Sequence, residues 1–321
     1  MYVQLGTLKR SDGRSLVEVM ISLTIGLMIV LALTSLFAVN RQTYRATDDK
    51  SRLDDEGRLA LNLIAHHVRM AGYGNLLLTI ESGVREKSAD NLTSVNETYP
   101  TLYTDFSNSE GKSVNAIQGC AGGFLDPSST VSPIPCAAGV GADAFRVSYV
   151  VDRDSANTTA GFVPTDCLGA ALVIRSTPAE GKKPAGGDKY VVDNRFFVRM
   201  NNGVPELYCQ GNGNTPEGAP NLVNPPQPVA ENVEQMRVVY GIANNDGQTI
   251  DRYIPANSVT DWNSVVSLKI CLVMRSTNDK VAMEKQTYRD CNDTLVTAVD
   301  NRLRGVFSTT ISIRSRSTGA T

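Results

Sequence analysis

The fold of this 321-residue chain is decided by LVEVMISLTIGLMIVLALTSLFAV, the apolar run from Leu16 to Val39. At about 1.5 Å of rise per residue, a helix of this length reaches roughly 36 Å and can cross a hydrocarbon core of about 30 Å. The run is longer than the usual apolar region of a secretory signal peptide, and no clear small-x-small cleavage site follows it. It therefore predicts a helix that spans a membrane.

The residues before this run set its orientation. Met1 to Gly13 are polar and include Lys9 and Arg10. Positive charge keeps that end of a membrane segment in the cytoplasm, so we expect everything after Asn40 to be exported. In a bacterium this corresponds to a single pass through the inner membrane, with the rest of the chain in the periplasm.

One acidic residue, Glu18, interrupts the apolar run. A carboxylate within a membrane segment costs a few kcal/mol on insertion scales, which favours a functional role with a partner. The alternative is that Glu18 lies at the membrane interface and reaches the headgroups. The apolar run by itself leaves both interpretations open.

The residues around Glu18 resemble the type IV prepilin signal, in which a short basic leader ends in glycine. Here the leader ends in Gly13, and Glu18 is the fifth residue counted from Arg14. The resemblance implies that prepilin peptidase cleaves between Gly13 and Arg14 and that the new amine of Arg14 is N-methylated. It also implies that Glu18 pairs with the N-terminal ammonium of an adjacent subunit. Such a buried pair disfavours incorrect docking, because either charge left unpaired is energetically costly. Arg14 stands where phenylalanine is usual, a departure that bears on the methylation rather than on the cleavage.

Beyond the membrane run, the pattern predicts that the helix continues as an amphipathic helix. Apolar or small residues recur there mostly at four-residue steps and form one stripe on a charged helix: Leu53, Gly57, Ala60, Ile64, Val68 and Ala71. We expect the helix to end at Gly72–Asn75, where two glycines permit a left-handed cap, and Gly26 or Gly57 to bend it. His66 and His67 point about 100° apart on a helix, so a structural role is favoured over a shared metal.

The segment that ends this helix sharpens the resemblance. VRMAGYGN, residues 68–75, resembles the segment that follows the N-terminal helix in the PilW family of type IV pilus minor pilins. The end of the chain is similar to that family too, with a valine-rich strand, a tryptophan and a final Thr-x-Ser-Ile-Arg strand. The resemblance implies a pilin-like α+β fold, in which a long N-terminal helix packs on an antiparallel β-sheet head.

The predicted head contains short strands and polar loops tied by disulfides. All six cysteines follow the apolar run, as suits an oxidising compartment: Cys120, Cys136, Cys167, Cys209, Cys271 and Cys291. None forms a Cys-x-x-Cys pair, so zinc-ribbon and thioredoxin-like sites lose their main signal. Six cysteines allow 15 pairings; we expect sequential neighbours to pair, namely the first with the second, the third with the fourth and the fifth with the sixth.

Strand predictions in the head rest on alternation and on apolar runs. We expect residues 79–143 to be irregular, and Asn201-Asn202-Gly203 to mark a hairpin between strands. The predicted strands are Ala144–Asp152, Ala171–Arg175, Tyr190–Val192, Phe196–Met200, Val204–Gln210, Val233–Tyr240, Val265–Arg275 and Phe307–Arg314.

Composition argues against catalysis and against direct nucleic-acid binding. The formal net charge of −2 provides no overall basic footprint. Both histidines lie on the predicted helix, so no serine–histidine–aspartate set is credible. We expect no enzyme activity, no cofactor and no metal site.

The sequence therefore predicts a processed minor type IV pilin that joins a tip or priming complex for pilus assembly, in twitching motility, adhesion or DNA uptake. Expected partners are prepilin peptidase, inner-membrane lipid before assembly, other minor pilins, the major pilin and a tip adhesin of the PilY type. The alternatives are a minor pseudopilin of a type II secretion system and an uncleaved, membrane-anchored periplasmic binding protein. The expected organisation is a leader (1–13), a membrane and assembly helix (14–39), an amphipathic periplasmic half-helix (40–74) and a β-rich head (75–321).

Overall fold

The structure is a computed structural model that describes residues 15–73, 106–107, 113–138, 141–151, 163–173, 190–216, 219–244 and 249–314. It divides into two units, with the boundary between Asp49 and Lys50. Helix α1 (Leu16–Met70) contributes residues to both units. The predicted cleavage site, Gly13 and Arg14, lies outside the described residues.

Within the first unit, residues 16–49 form the amino-terminal part of α1. The side chains from Leu16 to Val39 are all exposed. Along this run the predicted helix is confirmed in kind and position, because leucine, methionine and alanine favour helix and the β-branched residues are not consecutive over long stretches.

The head unit holds a five-stranded antiparallel sheet. Two short strands, β1 (Phe106–Ser107) and β2 (Ser113–Val114), pair with each other before it. The sheet itself follows chain order: β3 (Ile117–Cys120), β4 (Ala144–Val151), β5 (Tyr190–Asn201), β6 (Val204–Gly211) and β7 (Gln227–Glu231).

A four-stranded antiparallel sheet forms the other large layer of the head. Its strands are β8 (Val233–Ala243), β9 (Ile250–Pro255), β10 (Val265–Arg275) and β13 (Arg304–Ser312), in the spatial order β13-β10-β8-β9. A small hairpin of β11 (Thr287–Arg289) and β12 (Leu295–Thr297) lies in the chain between β10 and β13. Strand β10 is therefore central, as its apolar run predicted.

The main core lies between these sheets and the head half of α1. The helix contributes the stripe that the sequence predicted, and all six of its members are buried. The larger fully buried side chains opposite it come from both sheets: Phe145, Phe196, Ile117, Leu207, Met236, Tyr240 and Leu268. This arrangement confirms the predicted α+β class, a long helix packed on an antiparallel β-sheet head.

Most of the predicted strands are confirmed, and the hairpin is as expected. Asn201 pairs with Val204 across a two-residue turn, in which Asn202 has φ 48° and Gly203 has φ 83°. Both values are positive, as the type I′ turn of a tight hairpin requires. The segments predicted at 190–192 and 196–200 are one continuous strand, β5.

Two expectations about strands need correction. The predicted strand Ala171–Arg175 is wrong over its described part, where Ala171 makes only an isolated bridge to Thr165. The carboxylate of Asp166 accepts hydrogen bonds from the backbone N–H groups of Leu168 and Ala170 at 2.9 and 3.0 Å, which closes a turn instead. The segment 79–143, expected to be irregular, contains β3 of the large sheet.

The strand predicted at Ala144–Asp152 is confirmed over its described part as β4, and both of its faces are covered. All eight of its residues are buried. A second layer covers the outer face: Gln118 of β3 exchanges side-chain hydrogen bonds with the backbone of Ile134, whose loop folds over the sheet. Alternation in sequence reports which residues face the core, and it cannot report a loop that returns over the other face.

Three disulfides tie the loops of the head, and they join sequential neighbours as expected. Cys120 bonds Cys136, Cys167 bonds Cys209, and Cys271 bonds Cys291, over sequence separations of 16, 42 and 20 residues. Each bond joins a strand residue, in β3, β6 and β10 respectively, to a residue outside the strands. The bonds therefore anchor long connections to the two sheets.

Candidate functional site

The first candidate site is the apolar surface of α1 between Leu16 and Val39. Its large side chains are exposed over roughly half to three quarters of their area, from 49% for Val19 to 75% for Leu16. Among the described residues, α1 is the one helix long and apolar enough to cross a membrane. An apolar surface of this extent requires either lipid or protein around it.

The polar side chains within this surface are satisfied inside the helix. Ser22 Oγ donates to the carbonyl oxygen of Glu18 at 2.7 Å, and Thr24 Oγ1 donates to that of Ile21 at 2.8 Å. Thr34 and Ser35 bond in the same way to carbonyls three residues earlier. Hydroxyls bonded to their own helix leave no unpaired donor toward lipid, so this surface is compatible with a hydrocarbon environment.

Glu18 is the exception, because its carboxylate lies in the first turn of α1 and is exposed. Ser15 immediately precedes the helix, and its carbonyl oxygen accepts from the N–H of Glu18 at 3.0 Å and of Val19 at 3.2 Å. A negative charge at this end of a helix interacts favourably with the helix dipole. The described part of the chain thus places one exposed acidic group at the beginning of an exposed apolar helix.

The second candidate site is the junction where α1 ends on the five-stranded sheet. Gly72, with φ +71°, terminates the helix in a left-handed conformation, and its N–H donates to the carbonyl oxygen of Ser148 at 2.9 Å. The carbonyl oxygen of Tyr73 accepts from the N–H of Val150 at 2.6 Å. The end of the helix therefore continues the hydrogen-bonding row beside β4, which fixes the helix on the head.

A buried polar cluster of His67, Tyr149 and Asn194 lies at the same junction. His67 Nδ1 is 2.9 Å from the Tyr149 hydroxyl and 3.1 Å from Asn194 Nδ2. The N–H of Cys167 donates to Asn194 Oδ1 at 3.1 Å, which orients the amide so that its Nδ2 donates toward His67. The histidine nitrogen is then an acceptor, so the cluster holds a neutral imidazole.

The electrostatics of this cluster agree with its geometry. Burial lowers the pKa of His67 to about 3, with a further lowering from neighbouring His66. Burial also raises the pKa of the Tyr149 phenol, and the charge of Asp166 adds to that shift. Both groups are therefore neutral over the physiological range, and the cluster joins helix, sheet and the Cys167 loop without a buried charge.

Sequence reasoning assigned His67 a structural role but identified neither of its partners. Tyr149 and Asn194 lie 82 and 127 residues away in the chain. The sequence signal that could have found the cluster is His67 itself, which lies on the apolar side of the predicted helix. A buried imidazole requires a hydrogen-bond partner.

A long N-terminal apolar helix, an amphipathic half packed on an antiparallel sheet head and disulfide-tied loops together define a pilin-like protein. The family model of Type IV Pilus-assembly protein W matches residues 195–315, a range that begins within β5 and includes β6 to β13. The resemblance to the PilW family is thereby confirmed on this part of the head.

Two further comparisons complete the picture. The chain is similar to a solved structure of a type IV-like pilin from Thermus thermophilus, at 14% sequence identity over 83% of this chain and 98% of that one, with a TM-score of 0.34. A search of the curated proteins gives no match.

Proposed function

We propose that this protein is a minor type IV pilin, processed by prepilin peptidase, that takes part in the minor-pilin complex which primes pilus assembly and lies at the pilus tip. The observation that carries the proposal is Glu18, the single acidic residue between Leu16 and Val39, exposed in the first turn of an exposed apolar helix. The match of the head to a pilus-assembly family supports it.

The mechanism follows from the two environments that the helix must occupy. Before assembly, lipid covers the surface from Leu16 to Val39. During assembly, neighbouring subunits replace the lipid, and Glu18 pairs with the ammonium that cleavage after Gly13 creates at Arg14 of an adjacent subunit. An unpaired carboxylate is energetically unfavourable in the low-dielectric interior of a bundle of such helices. The pair therefore favours one axial register between neighbouring subunits.

The size and loops of the head favour a position in the pilus that few copies occupy, such as the tip, over a position in the repeating shaft. In addition to its two main sheets, the head includes disulfide-tied loops and the β11–β12 hairpin. Such loops obstruct the lateral packing of many identical copies, whereas a tip position tolerates them. The partners proposed are therefore other minor pilins, the major pilin below the complex and a PilY-type adhesin above it.

The processing step is tested by mass spectrometry of the mature amino terminus. Protein purified from cells with active prepilin peptidase is expected to begin at Arg14, with one methyl group on the new amine if the methylation also occurs. Gly13→Val is the control, since loss of the glycine should leave the leader attached. A chain that still begins at Met1, in cells whose other pilins are trimmed, would favour the uncleaved anchored binding protein.

The partners are tested by photo-crosslinking from the outer side of α1. Leu59 lies in the head half of the helix and is 66% exposed, so a photoreactive residue there faces neighbours without disturbing the core. We expect adducts with other minor pilins in assembled pili. Adducts confined to secretion-system pseudopilins would instead support the type II secretion alternative, and uniform labelling along the shaft would contradict the tip position.

A further inference from the structure

The outer face of the five-stranded sheet, away from α1, buries an unusual set of polar side chains. Because side chains alternate along a strand, Arg146 and Ser148 of β4 point opposite to the core residues Phe145 and Val147. On β5, Arg195 is the register partner of Arg146 and Asp193 is that of Ser148. We call these four residues the arginine cluster; each is at least 95% buried.

Arg195 has its hydrogen-bonding groups satisfied. Its Nη1 donates to the carbonyl oxygens of Pro127 and Ser129, in the loop that covers the sheet. Its Nη2 donates to Asp193 Oδ2 at 3.1 Å, and its Nε lies 3.5 Å from Asp193 Oδ1. These bonds account for the burial of Arg195, which holds the covering loop on the sheet.

Arg146 is different, although it is equally buried. Its closest charge contact is Asp193 Oδ1, 3.6 Å from Nε, beyond hydrogen-bonding distance. Across the part of the chain that the structure describes, Arg146 Nε, Nη1 and Nη2 and the neighbouring Ser148 Oγ have no hydrogen-bond partner. Arginine stays protonated in proteins, and a buried guanidinium whose N–H groups lack hydrogen-bond partners is strongly unfavourable even with one carboxylate nearby. The carboxylate of Asp193 is already shared with Arg195.

We propose that Arg146 and Ser148 bind a small inorganic oxyanion, of the sulfate or phosphate class, enclosed between the outer face of the sheet and its cover. A guanidinium presents parallel N–H groups whose spacing matches two oxygens of such an ion. The Ser148 hydroxyl supplies a further donor beside them. Because Arg146 has no exposed area, a free small ion fits better than a side chain from a partner protein.

The role of the ion is to complete the charge balance of the arginine cluster and so to hold the covering loop. Arg195 attaches that loop directly, through Pro127 and Ser129, while Arg146 opposes Arg195 across the strand pair. Two guanidinium groups side by side repel each other unless anionic charge lies between or beside them. This inference does not depend on the proposed role in pilus assembly.

The test is the binding of sulfate to the full-length protein in detergent after exhaustive dialysis into chloride buffer. Equilibrium dialysis with radiolabelled sulfate should give one saturable site per chain, and ion chromatography of the denatured protein would detect an ion retained through dialysis. Thermal unfolding should shift upward by about 5–10 °C at a sulfate concentration of roughly 100 Kd, by mass action on the folded state.

Variants separate a specific site from the general stabilisation that sulfate gives to most proteins. Arg146→Met should fold but lose the saturable site, and Ser148→Ala, which retains the arginine, should weaken sulfate binding by about tenfold. Arg252→Met changes an exposed arginine and should keep the site. Equal shifts in all of these proteins, or absence of both bound and retained anion in the wild type, would overturn the proposal; the latter would mean that an acidic side chain of the chain itself neutralises Arg146.

Discussion

The ring of Phe307 on β13 lies directly against Gly57 of α1. A Cβ built at Gly57 would be 2.6 Å from Phe307 Cδ2 and Cε2 and 2.7 Å from Cζ, far inside van der Waals contact. The sequence suggested that Gly57 bends the helix; the structure gives it a packing role, since only a glycine lets the helix backbone approach the edge strand this closely. Gly305 lies beside the same ring and also leaves room for it.

Gly57→Ala is therefore expected to destabilise the protein. Alanine in place of glycine should stabilise the helix by about 1 kcal/mol, but overpacking against three ring atoms should cost about 1–3 kcal/mol. We expect a net loss of about 1 kcal/mol in the free energy of unfolding, measured by denaturant titration with the single tryptophan, Trp262, as reporter.

Two comparisons make this test decisive. Gly26→Ala is the matched control, since a Cβ at Gly26 meets nothing within 4 Å, and it should not destabilise the head. Combining Gly57→Ala with Phe307→Leu should cost less than the two single changes added together, because the smaller side chain relieves the overlap. Simple additivity would mean that Phe307 is not the obstacle.

Glu18→Ala should leave the protein in the membrane but lower its incorporation into pili. Removing a carboxylate from an apolar helix makes insertion easier, by about 2–3 kcal/mol on insertion scales. Assembly, in contrast, loses the group that pairs with a neighbour's amino terminus. Membrane fractions and sheared pili should be compared by quantitative immunoblotting.

A second carboxylate on the same helix provides the control for Glu18. Asp55 is exposed in the head half of α1, and Asp55→Ala should leave pilus incorporation unchanged. Glu18→Asp, which keeps the charge on a shorter side chain, should retain more incorporation than Glu18→Ala. Normal incorporation of Glu18→Ala would leave the interface interpretation of Glu18 as the better one.

Local patterns were sufficient to predict the framework of this fold. The apolar run, the four-residue stripe and the glycines at its end gave the extent of α1 to within a few residues, because helix periodicity and termination are encoded locally. The hairpin at Asn202 and the central strand β10 follow for the same reason. The family resemblance added the overall arrangement, in which an N-terminal helix is followed by a β-sheet head.

Contacts between distant segments could not be read from such patterns. β3 has no apolar alternation, and its place in the sheet depends on pairing with β4 more than 20 residues later. The partners of His67 and the missing hydrogen-bond partners of Arg146 likewise result from the packing of distant segments, which sets residues from different strands side by side. Sequential pairing of the cysteines was one of 15 possible pairings. It agrees with the structure because cysteines that are neighbours in the sequence form the bonds, but no local pattern in the sequence required that pairing.

The buried state of His67 makes stability depend on pH. Its pKa is about 3 in the folded protein, below the ordinary value of 6.5, so between these values the unfolded chain binds the proton more readily. The stabilisation is complete above pH 6.5 and is lost as the pH falls toward 3, at up to about 1.4 kcal/mol per pH unit. Denaturant titrations from pH 7 to pH 4.5 would measure this slope.

Carboxylates titrate in the same range, so the contribution of His67 must be isolated by difference. His67→Gln keeps a polar side chain toward Tyr149 and Asn194 but cannot titrate, and its slope should be shallower than that of the wild type. His66→Gln alters the exposed neighbour and should retain most of the wild-type slope. If His67→Gln and the wild type lose stability in parallel, the histidine is not neutral in the folded protein.

All six cysteines should be oxidised in protein isolated from the cell envelope, and the bond between Cys167 and Cys209 should contribute most to stability. It closes 42 residues, against 16 for the bond between Cys120 and Cys136, a difference worth about 0.9 kcal/mol in loop-closure entropy. It also holds the loop whose backbone orients Asn194 toward His67.

Non-reducing peptide mapping should recover three linked peptide pairs, and replacing both cysteines of one pair by alanine allows the free energies of unfolding to be compared. Free thiols in the mapped protein would contradict the oxidising compartment, and a larger loss from the shorter loop would show that local packing, rather than loop length, decides the contribution of each bond.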